Sequence, residues 1–304
     1  MMRIGAGINT SATVEGITAH IGKLADAGFH AAWASQIFGH DALTALAVAG
    51  ALVPGIELGT GVVPVYPRHP QVMAAQALTV QSATNNRLLL GIGLSHQVMV
   101  ENCWGMSFDR PARYMKEYLA ALMPMLHGEA SNLDGEVLKA ITFGPLDIPD
   151  VKAPPVFVAA LAPAMLRLAG TVADGTATWM TGTNTIRTHI APTIQAAADA
   201  AGRPKPRVVV ALPVCVTSDP TAAAAAINED YSFYPSLPSY RAMLDLEGAN
   251  TAAEIGFIGS AEQIRQQLAD LEDAGATDLS AAISGTPDER AATFELLASI
   301  ARSA

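Results

Sequence analysis

Only two cysteines occur among the 304 residues, Cys103 and Cys215. They lie far apart in apolar surroundings, which excludes a disulfide framework and zinc-finger spacing. Basic residues are also scarce: Lys and Arg total 18 against 28 Asp and Glu, a formal charge of -10. Such a surface repels phosphate backbones unless it carries a local basic stripe. The nearest approach, Arg203-Pro204-Lys205-Pro206-Arg207, reads as a solvated loop before a strand, so nucleic acid is not an expected partner. No apolar run approaches the about 18–20 residues of a membrane span, and Met1-Met2-Arg3-Ile4-Gly5 lacks the basic and apolar regions of a secretion signal. A soluble protein of a reducing, cytoplasmic compartment with no membrane partner is expected. Half of the residues are hydrophobic, ample for a sizeable core.

What is present is an alternation of short β-like runs with helical patterns, the mark of parallel strands joined by helical crossovers. The runs are Met2–Ile8, Phe29–Ala34, Ile56–Val63, Leu88–Gly93, Pro155–Ala160, Gly175–Met180, Arg207–Val216 and Asp278–Ile283. Several are continuously apolar, as strands covered on both faces are. Helices are predicted over Thr13–Ala27, Ala42–Val53, Pro70–Thr84, Pro111–Leu126, Ala164–Ala173, Thr185–Ala201, Ala261–Ala274 and Asp288–Ala301. Gly28, Gly128, Gly202 and Gly275 stand just past helix ends, where a left-handed cap is wanted. This repeat predicts an α/β fold, a (β/α)8 TIM barrel in one domain over residues 1–304. A doubly wound sheet would carry a G-x-G-x-x-G turn after its first strand, and none is completed here. Insertions are expected near 129–152 and 220–256, the second carrying Tyr231, Phe233, Tyr234 and Tyr240.

Catalytic groups in such a barrel lie at the C-terminal strand ends. All the lysines (Lys23, Lys116, Lys139, Lys152, Lys205) fall in predicted helices or loops, which removes a Schiff-base nucleophile. The histidines do not pair with strand-end carboxylates, so a hydrolytic metal centre is disfavoured and no metal is expected. A glycosidase needs two opposed carboxylates, and the strand ends offer mainly Asp41. The remaining lining is small, apolar and hydroxyl-bearing, with a few histidines. It suits a flat organic cofactor that carries the reactive chemistry itself.

Phe29-His30-Ala31-Ala32-Trp33-Ala34-Ser35-Gln36, Leu58-Gly59-Thr60-Gly61-Val62, Asn86-Arg87-Leu88-Leu89-Leu90-Gly91-Ile92-Gly93 and Asp174-Gly175 together resemble the luciferase-like superfamily of barrel oxidoreductases. So do Gly259-Ser260 with Glu262 and Ile264, and Asp273-Ala274-Gly275. The likeness spans nearly the whole chain and is greatest to the branch using the deazaflavin coenzyme F420, with the FMN-using branch second.

The resemblance implies a non-proline cis peptide at Gly61-Val62, backing the cofactor ring. It implies cofactor-binding roles for Ser35, Thr60, Gly61, Val62, Leu94 and Ser95. The same holds for Ala160, Leu161 and Ala162 after strand five, and Trp179, Met180 and Thr181 after strand six. Pro163 opens a helix there, and helix N-termini attract anions. Related deazaflavin dehydrogenases place an Asp-His pair where this chain has Gln36-Ile37. Gln36 cannot take a proton, but it can hydrogen-bond the ring or substrate. His96, after strand four, matches a position that is acidic in some relatives, and with an ordinary value near 6.5 it suits proton transfer beside a hydride. His40 and His69 are reserves. The catalytic candidates are thus His96 and Gln36.

The resemblance therefore implies an F420-dependent oxidoreductase acting on a small organic substrate. Loss of the Asp-His pair favours reduction of an activated C=C or C=O bond over alcohol oxidation. An FMN-dependent monooxygenase and a barrel that binds deazaflavin without turning it over are the alternatives. A homodimer is expected because relatives are commonly dimers.

Overall fold

The computed structural model of the protein describes residues 1–303. Eight parallel strands form its barrel: β1 (Arg3–Ile8), β2 (Ala31–Ala34), β3 (Glu57–Thr60), β4 (Leu88–Gly93), β5 (Val156–Val158), β6 (Gly175–Trp179), β7 (Arg207–Val216) and β8 (Asp278–Ile283). They follow one another in chain order, and β8 pairs with β1 to close the ring. This is a (β/α)8 barrel, and closure leaves none of these eight strands at a sheet edge. β4 has every residue buried, as its Leu-Leu-Leu-Gly-Ile-Gly sequence requires of a strand covered on both faces.

Local chemistry sets the crossover helices. Pro70, Pro111, Pro163 and Pro287 open theirs, at the position where a missing N–H costs nothing. Ser260 with Gln263 and Thr286 with Glu289 form complete capping boxes. Gly28, Gly128, Gly202 and Gly275 all have positive φ, as their places past helix ends demand.

The chain divides into two compact units. One comprises Met1–Gly7, Lys23–Trp33 and the chain from Ala160 onward. Its core is built on Ile4, Val210, Leu212 and Leu279, all nearly inaccessible. The segment after β7 forms helices Pro220–Asp230, Pro238–Glu247 and Ala252–Ile255, then a short strand, Phe257–Gly259, that extends the end of β7 in parallel. The other unit comprises Ile8–Gly22 and Ala34–Ala159, with Leu58, Leu88, Ile92, Met115 and Tyr118 in its core. The segment near 129–152 folds into an antiparallel hairpin, Asn132–Asp134 with Lys139–Ile141.

Two elements depart from the predicted pattern. The helix expected over Thr185–Ala201 opens at Thr183 and carries a π-helical turn, Ile186–Ile190, in which the Ala191 N–H bonds the Ile186 carbonyl. Pro192 has no N–H to give the carbonyl four residues back, and the ladder widens by one residue beside it. The strand expected over Ile56–Val63 stops at Thr60 and resumes at Val63–Pro64, which pairs with Ile92–Gly93. The interruption is Gly61-Val62.

Candidate functional site

In the unit containing β3 and β4, the interruption after β3 defines the site. The Gly61-Val62 bond is cis. The Gly61 N–H donates to the Ala34 carbonyl at 2.8 Å, and its own carbonyl accepts from Ser35 Oγ at 2.8 Å. The Val62 carbonyl accepts from the Gln36 N–H at 3.3 Å. The Val62 side chain turns into the wall. A Cβ at Gly93 would stand 2.7 Å from Val62 Cγ2, and one at Gly91 only 1.9 Å from the Thr60 carbonyl. Only glycine permits strand β4 to approach so closely. Gly61 itself is exposed, so a flat stretch of peptide without a projecting side chain is presented to solvent.

Thr60 is fully buried, and its hydroxyl both donates to the Gly91 carbonyl (2.7 Å) and accepts from the Gly91 N–H (2.8 Å). It clamps β3 to β4. Gln36 is anchored too: its side-chain oxygen accepts from the Ala42 N–H at 2.7 Å, at the start of helix Ala42–Leu52. Asp41 caps that helix and pairs with Arg68. This ion pair is partly buried.

β4 runs into Leu94, Ser95 and His96, all half-buried, with Ser95 at φ +63°. The His96 carbonyl accepts from the Met99 and Val100 N–H groups, opening a π-helical turn, Met99–Cys103. Burial holds His96 below its ordinary value of 6.5, so the imidazole is neutral at pH 7. The reserve histidines differ. His69 caps helix Pro70–Ala83 and its other ring nitrogen bonds the Lys139 carbonyl at 2.9 Å, whereas His40 is exposed.

In the other unit, Ala160 is buried, Leu161 half-buried and Ala162 exposed at the N-terminus of helix Pro163–Val172. The Leu161 carbonyl accepts from His189 Nε2 at 2.7 Å, from within the π-helical turn. Sequence reasoning missed this support; the signal was a histidine one turn before a proline. Met180, at φ +53°, and Thr181 are buried, and Thr181 Oγ1 donates to the Trp179 carbonyl at 3.2 Å. Trp179 meets Tyr231 and Tyr234 edge-on at 5.2 and 5.7 Å, and Tyr240 packs on Tyr234 at 5.3 Å. The aromatic residues of the second insertion thus cluster on the strand-six end of their own unit. Among the described residues no group of three or more His, Cys, Asp or Glu side chains could hold a metal ion. Among the described residues no helix is long and apolar enough to cross a membrane.

Known proteins with similar sequence or fold include a reductase, a dehydrogenase and a monooxygenase. A 5,10-methylenetetrahydromethanopterin reductase of Methanolobus tindarius is 30% identical over 213 residues, 68% of this chain and 63% of its own. An F420-dependent secondary alcohol dehydrogenase, solved with an F420-acetone adduct, matches 98% of both chains with a TM-score of 0.83 at 15% identity. An EDTA monooxygenase from a Chelativorans species matches 99% of this chain and 93% of its own, with a TM-score of 0.80 at 16% identity. The family model for luciferase-like monooxygenases matches residues 1–301, and the chain belongs to that family.

Proposed function

We propose that the protein is a coenzyme F420-dependent oxidoreductase that reduces an activated C=C or C=O bond of a small organic substrate. The observation that carries this reading is the exposed, side-chain-free face of Gly61-Val62, which precedes the pairing of Val63-Pro64 with the end of β4. A planar ring system can lie flat on it, because Val62 is packed into the wall and glycine adds nothing above it. A relative named as a putative coenzyme F420-dependent oxidoreductase, 31% identical over 169 residues, favours the deazaflavin over FMN. Coenzyme F420 supplies hydride transfer at C5 when bound.

The chain's own residues then divide the work. Gly61 and Val62 form the platform, and Ser35, Thr60 and Gln36 are positioning residues that fix it through the bonds described above. Leu94 and Ser95 border it as the continuation of β4. Ala160, Leu161, Ala162, Trp179, Met180 and Thr181 are proposed as further cofactor-binding positions, on their places at strand ends of their own unit. In its protonated form, which burial makes scarce at pH 7, His96 donates the proton that the substrate gains with the hydride. A neutral imidazole is regenerated once that proton has been passed on, so its lowered affinity for protons favours release to substrate.

Parallel titration of the purified protein with F420 and FMN, read by cofactor fluorescence, tests the reading. Micromolar or tighter F420 binding with negligible FMN binding supports it. The reverse result moves the protein to oxygen-activating flavin chemistry. F420 binding without turnover of any enone, imine or carbonyl substrate leaves a deazaflavin-binding barrel, and binding of neither cofactor overturns the proposal.

A further inference from the structure

Helices Ala42–Leu52 and Pro70–Ala83 contain no charged residue, although 15% of the chain is charged. Every other helix of ten or more residues carries at least one. Between Ala42 and Asn86 the sequence has only Glu57 and Arg68, and Arg68 is paired with Asp41. Helix Ala42–Leu52 is built, apart from Thr44, from Ala, Leu, Val and Gly alone. A helix that is apolar all round belongs in an interior. This one turns only part of its circumference to the barrel. Leu43, Leu46 and Ala49 are buried, whereas Val48 is 44% and Leu52 70% exposed, with Thr44 and Ala51 exposed beside them. The spacing of these last four, i, i+4, i+7 and i+8, puts them on one face.

The neighbouring helix continues the surface. Pro70–Ala83 packs on Ala42–Leu52. It turns Met73, Ala77 and Leu78 inward and leaves Val72 (49%) and Thr79 exposed, with Ala75 half-buried between them. The two helices are locked together at their ends. A Cβ at Gly50 would stand 2.6 Å from Thr84 Cγ2. Arg87 donates from Nη2 to the Gly50 carbonyl (2.6 Å) and from Nε to the Thr84 carbonyl (2.7 Å). The face is thus formed before any partner arrives, and binding to it costs little ordering.

We propose that a second copy of this chain docks on this face, the two helices of each copy packing across a two-fold axis. A foreign partner is selected largely by matching charge, and this face has none to match. A two-fold contact sets a patch against itself, so a charge near the axis would face its like. On a chain of formal charge -10, a face free of carboxylates meets its copy without that repulsion. Ala47, Ala51 and Ala75 are small enough for the paired helices to approach closely. None of these residues belongs to the cofactor site, so the interface stands or falls independently of the cofactor.

Sedimentation equilibrium of the full chain across the micromolar range tests this. The wild type is expected at twice 31.5 kDa. Val48→Glu/Leu52→Glu, which sets carboxylates against each other across the axis, is expected at 31.5 kDa with unchanged far-UV circular dichroism. Phe143→Glu, the same kind of change at an exposed position outside this face, stays at the wild-type mass. Leu52→Ser, a change too mild to unfold the chain, should weaken association roughly tenfold. A wild type that stays at 31.5 kDa at every concentration overturns the proposal. If that single chain instead sediments with phosphatidylcholine vesicles, the face belongs to a lipid surface. A wild-type mass that Val48→Glu/Leu52→Glu leaves unmoved also overturns it, and where that variant misfolds, unchanged association of Leu52→Ser does the same.

Discussion

Replacing Glu117 by Gln should loosen the hairpin of residues 132–141 more than any other single-atom change in its unit. Glu117, on helix Pro111–Leu126, is 6% exposed. Its Oε1 accepts from the Glu136 N–H (3.1 Å) and Arg113 Nε (2.8 Å), and its Oε2 from the Val137 and Leu138 N–H groups (both 3.0 Å). An amide retains one acceptor oxygen and turns an NH2 group toward two donors, so at least two charge-assisted bonds are lost. At about 1.5–3 kcal/mol each, the cost is roughly 3–6 kcal/mol, reduced somewhat because a neutral amide is cheaper to bury. At about 2 °C per kcal/mol for a chain of this size, Tm should fall by roughly 5–10 °C. The pH dependence adds a signature. Burial alone would raise the carboxyl, but hydrogen bonds from Val137, Glu136, the Arg113 side chain and Leu138 hold it below its ordinary 4.5. The unfolded chain therefore binds the proton first. Glu117 contributes its full stability above the unfolded value and loses it as pH falls through the lower folded value. Thermal unfolding from pH 7 to 3 should show this acid limb in the wild type and a shallower one in Glu117→Gln. A Tm change under about 2 °C, with parallel acid limbs, would refute the reasoning.

Other outcomes follow from the site. His96→Ala should lower turnover by about 10²–10⁴-fold with F420 affinity little changed, measured in steady state and by titration. With His96 in its proposed role as donor, the wild-type reductive rate should rise as pH falls below 6.5, since burial lowers the pH at which the protonated form appears; His96→Ala should lose that rise. Ser35→Ala removes the 2.8 Å bond to the Gly61 carbonyl, worth about 1 kcal/mol, and should weaken cofactor binding roughly fivefold in the same titration. Gly91→Ala places a Cβ 1.9 Å from the Thr60 carbonyl, a backbone atom, and should leave no soluble folded protein on expression.

Much of the barrel was legible because its strands announce themselves by composition. The apolar runs Leu88–Gly93, Arg207–Val216 and Asp278–Ile283 coincide with β4, β7 and β8. Helix ends were legible through Pro and Gly, whose backbone preferences are local. The π-helical turn at Ile186–Ile190 was not, since one extra residue per turn barely disturbs a helical hydrophobic pattern. The hairpin of residues 132–141 also escaped, because its strands are three residues long and a buried glutamate from another element ties its turn. At the site, the break at Gly61-Val62 was expected from the resemblance. The commitment of Gln36 to Ala42, of Thr60 to Gly91 and of His189 to Leu161 depends on tertiary neighbours that no spacing rule supplies.

Glu247 ends helix Pro238–Glu247 and lies against Gly182, where a Cβ would come within 2.3 Å of its carboxyl carbon. It accepts from the Asn184 N–H (3.0 Å), the Thr185 N–H (2.6 Å) and Thr185 Oγ1 (2.6 Å). The first turn of the helix after β6 thus already has its anion, supplied by the aromatic-bearing insertion. In kinetic terms this segment is latched: swinging it outward would strand a carboxylate and two backbone donors together. Rearrangement around Trp179 is then left to side-chain rotation, a faster and lower-barrier process than the opening of a hinged lid.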